Sequence, residues 1–115
     1  MRLRSDIFVS ALVRRVFSGG GFAAVEHKGA DAAGAIFLRQ RHRDGSETLY
    51  GPAPQNFLRE EDEGERKFEI RLKAAVPDEV ADLVGRERRF DPDLWLVELE
   101  TEDVADLFQV VDTDR

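Results

Sequence analysis

The sequence predicts an α+β fold in a single domain spanning residues 1–115: a mainly antiparallel sheet of about five strands, an N-terminal helix, and a second helix, with the helices packed mostly on one face. Three observations predict it. Apolar residues recur at helical spacing near the N-terminus and again over 78–89. They alternate with charged residues over 67–73, the period of a half-buried strand. The segment 94–100 is apolar on both faces at its start, as a strand inside a sheet must be.

The first helix begins at Ser5 or Asp6, either of which has a side chain able to accept from the free amides of a first turn. Ile7, Leu12 and Val16, with Phe8 and Ala11, form its apolar stripe. Arg14 and Arg15 suit the negative end of the dipole, and Gly19, Gly20 and Gly21 end the helix. A three-stranded meander is expected next, over 22–28, 35–41 and 47–50. Asp44-Gly45 between two extended runs reads as a two-residue hairpin turn. Pro52 and Pro54 end the third strand because neither donates to a ladder. The run EEDEGE at 60–65 reads as a charged loop. Phe68, Ile70 and Leu72 share one face of the next strand. Asp78 and Glu79 open the second helix, with Val80, Leu83 and Val84 inward. Asp91-Pro92-Asp93 forms a corner before the strand 94–100, whose Trp95, Val97 and Leu99 point one way. Val104, Leu107, Phe108 and Val111 fit a helix capped by Thr101 slightly better than an edge strand.

The strings RLRSDIFVSALVRRV, FAAVEHKGADAAGAIFLRQ, LYGPAPQ and FDPDLWLVELE follow one another in an order that resembles the alphaproteobacterial family known as domain of unknown function 1491. LYGPAPQ and FDPDLW are the specific parts, and the resemblance covers nearly the whole chain. TEDVADLFQVV departs from the shorter, hairpin-like ending of that family. The resemblance implies a bacterial stand-alone domain. It brings no activity, cofactor or catalytic residue with it.

Composition excludes several chemistries. The chain of 115 residues has no cysteine, so disulfides, thiolate nucleophiles and thiolate metal sites are ruled out. Two histidines and one methionine provide poorly for soft metals. The net charge of −7 divides into +4 over residues 1–59 and −11 over 60–115, which reads as a mildly basic sheet beside acidic loops and a helix. The N-terminal stretch does not read as a secretory leader, since Asp6 precedes a short apolar run and no A-x-A-like site follows; no stretch is long enough to span a membrane. The expected location is the cytoplasm.

Catalytic motifs are missing. No serine sits in a G-x-S-x-G elbow. His27 and His42 fall at opposite ends of the expected first hairpin. The three glycines follow a helix C-terminus, so the dipole there has the wrong sign for phosphate. Asp91 and Asp93 read as turn residues, with a hydrolytic pair completed by Glu98 as the competing reading. No metal or cofactor site is expected.

One constellation rises above this background. If residue 28 faces 35 and residue 43 faces 46, then Ala23, Val25, Ile36, Leu38 and Leu49 share the core face. Phe22, Phe37, Arg39, Arg41 and Tyr50 then share the opposite face, with Arg39 between Ala24 and Tyr50. Aromatics among cations on an open sheet suit single-stranded nucleic acid or a protein contact. The preferred reading is a non-enzymatic protein-interaction module, with an unknown protein partner or a second copy bound through that face or a sheet edge. Single-stranded nucleic-acid binding is second, and a hydrolase using Asp91, Asp93 and Glu98 is third.

Overall fold

A computed structural model describes residues 3–54 and 66–113. The elements run α1 (Ser5–Ser18), β1 (Phe22–His27), β2 (Ile36–Arg41), β3 (Glu47–Pro52), β4 (Lys67–Ala75), α2 (Pro77–Phe90), β5 (Trp95–Glu100) and β6 (Gln109–Val110). The α+β class holds. The sheet has six strands in the order β1-β5-β2-β3-β4-β6 and is mixed, because β5 runs parallel to β2 and β6 parallel to β4. The acidic run 60–65 lies outside the described residues.

β5 overturns the first half of the expected meander. It inserts between β1 and β2, antiparallel to one and parallel to the other, so residue 28 does not face 35. The loop between β1 and β2 therefore wraps the start of β5. Ala30 donates its N–H to the Asp93 carbonyl at 2.9 Å, and the Trp95 indole donates back to the Ala30 carbonyl at 2.8 Å. Gly29 is required there, since a Cβ would lie 2.2 Å from the Asp93 carbonyl oxygen. A strand buried on both faces gains more from an interior lane than two short strands gain from a local hairpin.

The helices take opposite faces rather than one. α1 buries Val9, Leu12 and Val16 against Ala23, Ile36, Leu38, Tyr50, Trp95, Val97 and Leu99. Its stripe runs from the buried Ser5 through Val9, while Ile7 points to solvent at 49% exposure. The residue at the cap position is Arg4, which offers no side-chain bond; the amides of Ser5 and Asp6 go to the carbonyls of Ala32 and Asp31 in the β1–β2 loop, and the Asp6 carboxylate accepts the Ile7 N–H at 2.8 Å. The Ser5 hydroxyl donates to the Gly34 carbonyl at 2.6 Å. α2 begins at Pro77 and lays Val80 and Val84 against Phe37, Leu49, Leu94 and Leu96 on the other face.

β4 serves both cores because it is bulged. Tyr50 pairs with Ile70 but Leu49 pairs with Leu72, leaving Arg71 as an extra residue. Parity flips there, so Phe68 packs with α1 and Leu72 with α2. The tail resolves as the edge strand β6 rather than a helix; Val104 and Leu107 pack against the α1 core, and Phe108 is buried within it.

Candidate functional site

The β2–β3 turn decides which of the expected site residues meet. Gly45 has the anticipated positive φ, at 90°. The turn is nevertheless longer than two residues. His42 donates its N–H to the Ser46 carbonyl, and Gly45 donates to the His42 carbonyl. That is a type I turn closed by a left-handed glycine bulge. It sets Arg41 opposite Glu47, Arg39 opposite Leu49, and Leu38 opposite Tyr50, one residue away from the expected register. A one-residue slip moves every partner to the other face.

Of the five residues expected on one surface, Phe22, Phe37, Arg39 and Arg41 keep a common face, that of α2, and only Tyr50 leaves it. Tyr50 lies with α1, and Leu49, expected in that core, lies with α2. Phe37 is buried under α2, with the Arg71 guanidinium 5.3 Å above its ring. Phe22 sits at the β1 edge, edge-on to Phe17 at 5.6 Å. Arg39 and Arg41 do share the α2 face, but between Glu98 and β3 rather than between Ala24 and Tyr50.

Those two arginines are consumed by carboxylates. Arg39 meets Glu47 at 2.6 Å and Glu26 at 3.5 Å; Arg41 meets Glu47 and Glu98, each at 3.3 Å. Burial by itself would lower the Arg39 pKa, but the hydrogen bond and charge of Glu47, then those of Glu26, outweigh it and hold the group above its ordinary value. Two cations facing three carboxylates leave this patch without positive charge to offer a phosphate.

The hydrolytic trio is not brought together. Asp91 accepts the Asp93 N–H at 3.1 Å, which is turn chemistry, while Glu98 is tied to Arg41 within the sheet. His27 donates Nδ1–H to the Leu94 carbonyl at 2.8 Å, and His42 pairs with the Thr48 hydroxyl at 2.8 Å. Among the described residues no group of three or more histidines and carboxylates could hold a metal ion.

The site that sequence reasoning missed lies on the other face. A cleft of about 970 Å³ opens beyond α1, between β2, β3 and β4 and the chain around Glu102 to Val110. Gln40, His42, Thr48 and Tyr50 line it from β2, the turn and β3, all brought there by the register that the glycine bulge sets. Tyr50 donates to Gln40 Oε1 at 2.8 Å, and Gln40 Nε2 donates to the Thr101 carbonyl at 2.8 Å. Burial raises the Tyr50 pKa. Phe108 packs edge-on against the Tyr50 ring at 5.1 Å. The two-residue reading of Asp44-Gly45 points away from this site; a three-residue loop over Arg43, Asp44 and Gly45 is what gives the observed register, and nothing local foretells that the tail folds over it.

The comparisons agree with this architecture. The family model described as "Protein of unknown function (DUF1491)" matches residues 3–109. The solution structure of protein Atu0922 from A. tumefaciens is similar at 61% identity and a TM-score of 0.86, over 100% of this chain and 99% of that one. A crystal structure of a DUF1491 protein from Caulobacter crescentus is similar at 32% identity and a TM-score of 0.77, over 96% and 99% of the two chains. An NMR structure of a DUF1491 protein from the same organism gives 33% identity and a TM-score of 0.75, over 96% and 98%. No curated protein matches the sequence. A family match spanning nearly every residue, joined to full-length structural likeness at high identity, means that this chain belongs to the DUF1491 family, whose function is unassigned.

Proposed function

We propose that this chain is a non-enzymatic interaction module of the bacterial cytoplasm that pairs with a second copy of itself along β1. The observation that carries this reading is the state of that strand. Among the described residues β1 ends the sheet and pairs only with β5, which leaves its outer ladder groups without a strand partner there. Phe17, Phe22 and Val25 flank it at 50%, 44% and 43% exposure. Open edges are normally blunted by lysine, proline or a covering element, and the stretch from Phe22 to Val25 carries none of the first two. A second copy closes both edges at once about a twofold axis, and the uncharged centre Ala23-Ala24-Val25 brings no like charges together there. A non-enzymatic role is supported by the engagement of Asp91 in a turn, Glu98 in an ion pair, and His27 and His42 in hydrogen bonds to a carbonyl and a hydroxyl.

Sedimentation tests it. The wild type should associate in the micromolar range, and Phe22→Glu with Val25→Lys should make it monomeric at nearly unchanged stability, since both positions are exposed. A wild type that stays monomeric throughout that range overturns the reading. Oligonucleotide binding at low salt that disappears in Arg39→Ala with Arg41→Ala would replace it with the nucleic-acid alternative.

A further inference from the structure

We propose that the cleft beside Tyr50 is a binding site for a small organic anion with an apolar body, an alkyl or aryl carboxylate, held through Lys73. The inference stands on the cleft and not on the β1 edge.

The first support is backbone geometry. Leu72 pairs with Leu49 and Ala75 with Glu47, so Thr48 alone faces both Lys73 and Ala74. This second bulge of β4 sends both residues to the cleft wall. Ala74 adopts φ 48°, the only positive φ outside glycine among the described residues, and its N–H donates to Thr48 Oγ1 at 3.0 Å. Left-handed conformations at residues with a Cβ persist only where their surroundings hold them, and bulges commonly re-aim side chains at functional sites.

The second support is charge. Arg43 meets Glu102 at 3.8 Å, Asp44 accepts from Ser46, and Asp103 accepts the Ala105 N–H. The hydrogen bonds of Asp44 to the Ser46 side chain and backbone also hold its pKa below the ordinary value. Of the charged residues lining the cleft, Lys73 is the one that makes no hydrogen bond or ion pair among the described residues. An anion pairs with it directly, whereas an amine would be left to Asp44, Glu102 and Asp103, which already accept hydrogen bonds or an ion pair.

The third support is the wall. Ile70 and Val110 line the cleft at 41% and 38% exposure, beside Tyr50 and Phe108. Apolar walls with few polar anchors, at a volume of about 970 Å³, suit a small organic molecule. Inorganic phosphate would leave that wall wet.

The test is an amide chemical-shift titration with octanoate, and with octanol and octylamine as controls. Octanoate should saturably shift amides within residues 40–50, 70–74 and 104–110. Octanol and octylamine should bind at least about tenfold more weakly, and Lys73→Met should weaken octanoate by about tenfold while leaving the spectrum dispersed. The proposal fails if millimolar octanoate gives no saturable shift, if the shifts cluster elsewhere, if octanol or octylamine binds equally well, or if Lys73→Met changes nothing. Repeating the titration in Phe22→Glu with Val25→Lys separates it from the β1 reading: octanoate should bind that variant as it binds the wild type.

Discussion

The two faces of this sheet bury polar groups by opposite means. On the α2 face the polar groups are charged, and Glu26, Arg39, Arg41, Glu47 and Glu98 close on one another. On the α1 face, beside the cleft, they are neutral: Tyr50, Gln40, Thr48 and His42 pair among themselves and with the backbone. A buried charge needs a partner of opposite sign, so the first arrangement ends as a completed network with nothing left over. A neutral pair needs only a hydrogen bond, so the second leaves room for a cleft with a lysine at its wall. Residue types that look like a site in sequence became structure, and residues that look structural came to line the cavity.

The largest expected effect removes what both faces share. Trp95 stands on β5, an interior strand, and donates to the loop that wraps it. Trp95→Ala should cost about 3–5 kcal/mol. Denaturant unfolding should show the midpoint fall far or cooperativity vanish; an unchanged midpoint would mean that β5 does not hold the two faces together.

The second effect addresses the charged face alone. The Glu47 side chain is 3% exposed and bridges both arginines. Glu47→Leu leaves Arg39 buried with only the distant Glu26, and should cost about 3 kcal/mol. Adding Arg39→Met should recover most of that loss, because an apolar pair of similar volume replaces the ions. A single variant as stable as the wild type would show the network to be solvated, and the contrast between the faces would collapse.

This contrast could not be seen in the sequence, and the reason is specific. The period-2 run over 67–73, the helical periodicity over 78–89 and the doubly apolar start of 94–100 are local signals, and each produced the element expected. Which strands touch is not local. β1 and β2 look like a hairpin until β5, more than fifty residues later, takes the lane between them. The Asp44-Gly45 pair announced a turn and a positive φ, but both compatible turn types share that glycine and differ by one residue in register. That residue separates Tyr50 from Arg39. The bulges in β4 have the same character: Phe68 and Leu72 share a parity in sequence and not in space. Of the five expected site residues only Tyr50 reaches the cleft.

The third effect tests the neutral face. Tyr50→Phe strands Gln40 Oε1 and should cost about 1 kcal/mol. Tyr50 is the sole tyrosine, so its ionisation can be followed directly by phenolate absorbance. Burial raises its folded pKa, so the folded state resists losing the proton. The corresponding stability is fully present below the ordinary tyrosine value of about 10 and is lost as pH rises through the higher folded value. Phenolate should therefore appear later in the native protein than in denaturant, and Tyr50→Phe should lack this part of the alkaline loss. Coincident titration curves would mean that the ring is wet.

The smallest effect concerns the strained residue of the cleft wall. A left-handed conformation costs a residue with a Cβ about 1–2 kcal/mol, whereas glycine enters it freely but gives up about 0.5–1 kcal/mol of extra chain entropy on folding. Ala74→Gly should thus raise stability by about 0.5 kcal/mol, measured as a higher denaturant midpoint at constant slope. The sign carries the information. Most substitutions in a folded domain destabilise, so a gain at Ala74 would show that the native backbone holds a conformation its own sequence resists. A loss would mean that the Ala74 methyl contributes packing that outweighs the strain. The cleft wall would then be ordinary structure, and the two faces would differ in their chemistry but not in what their backbones are made to bear.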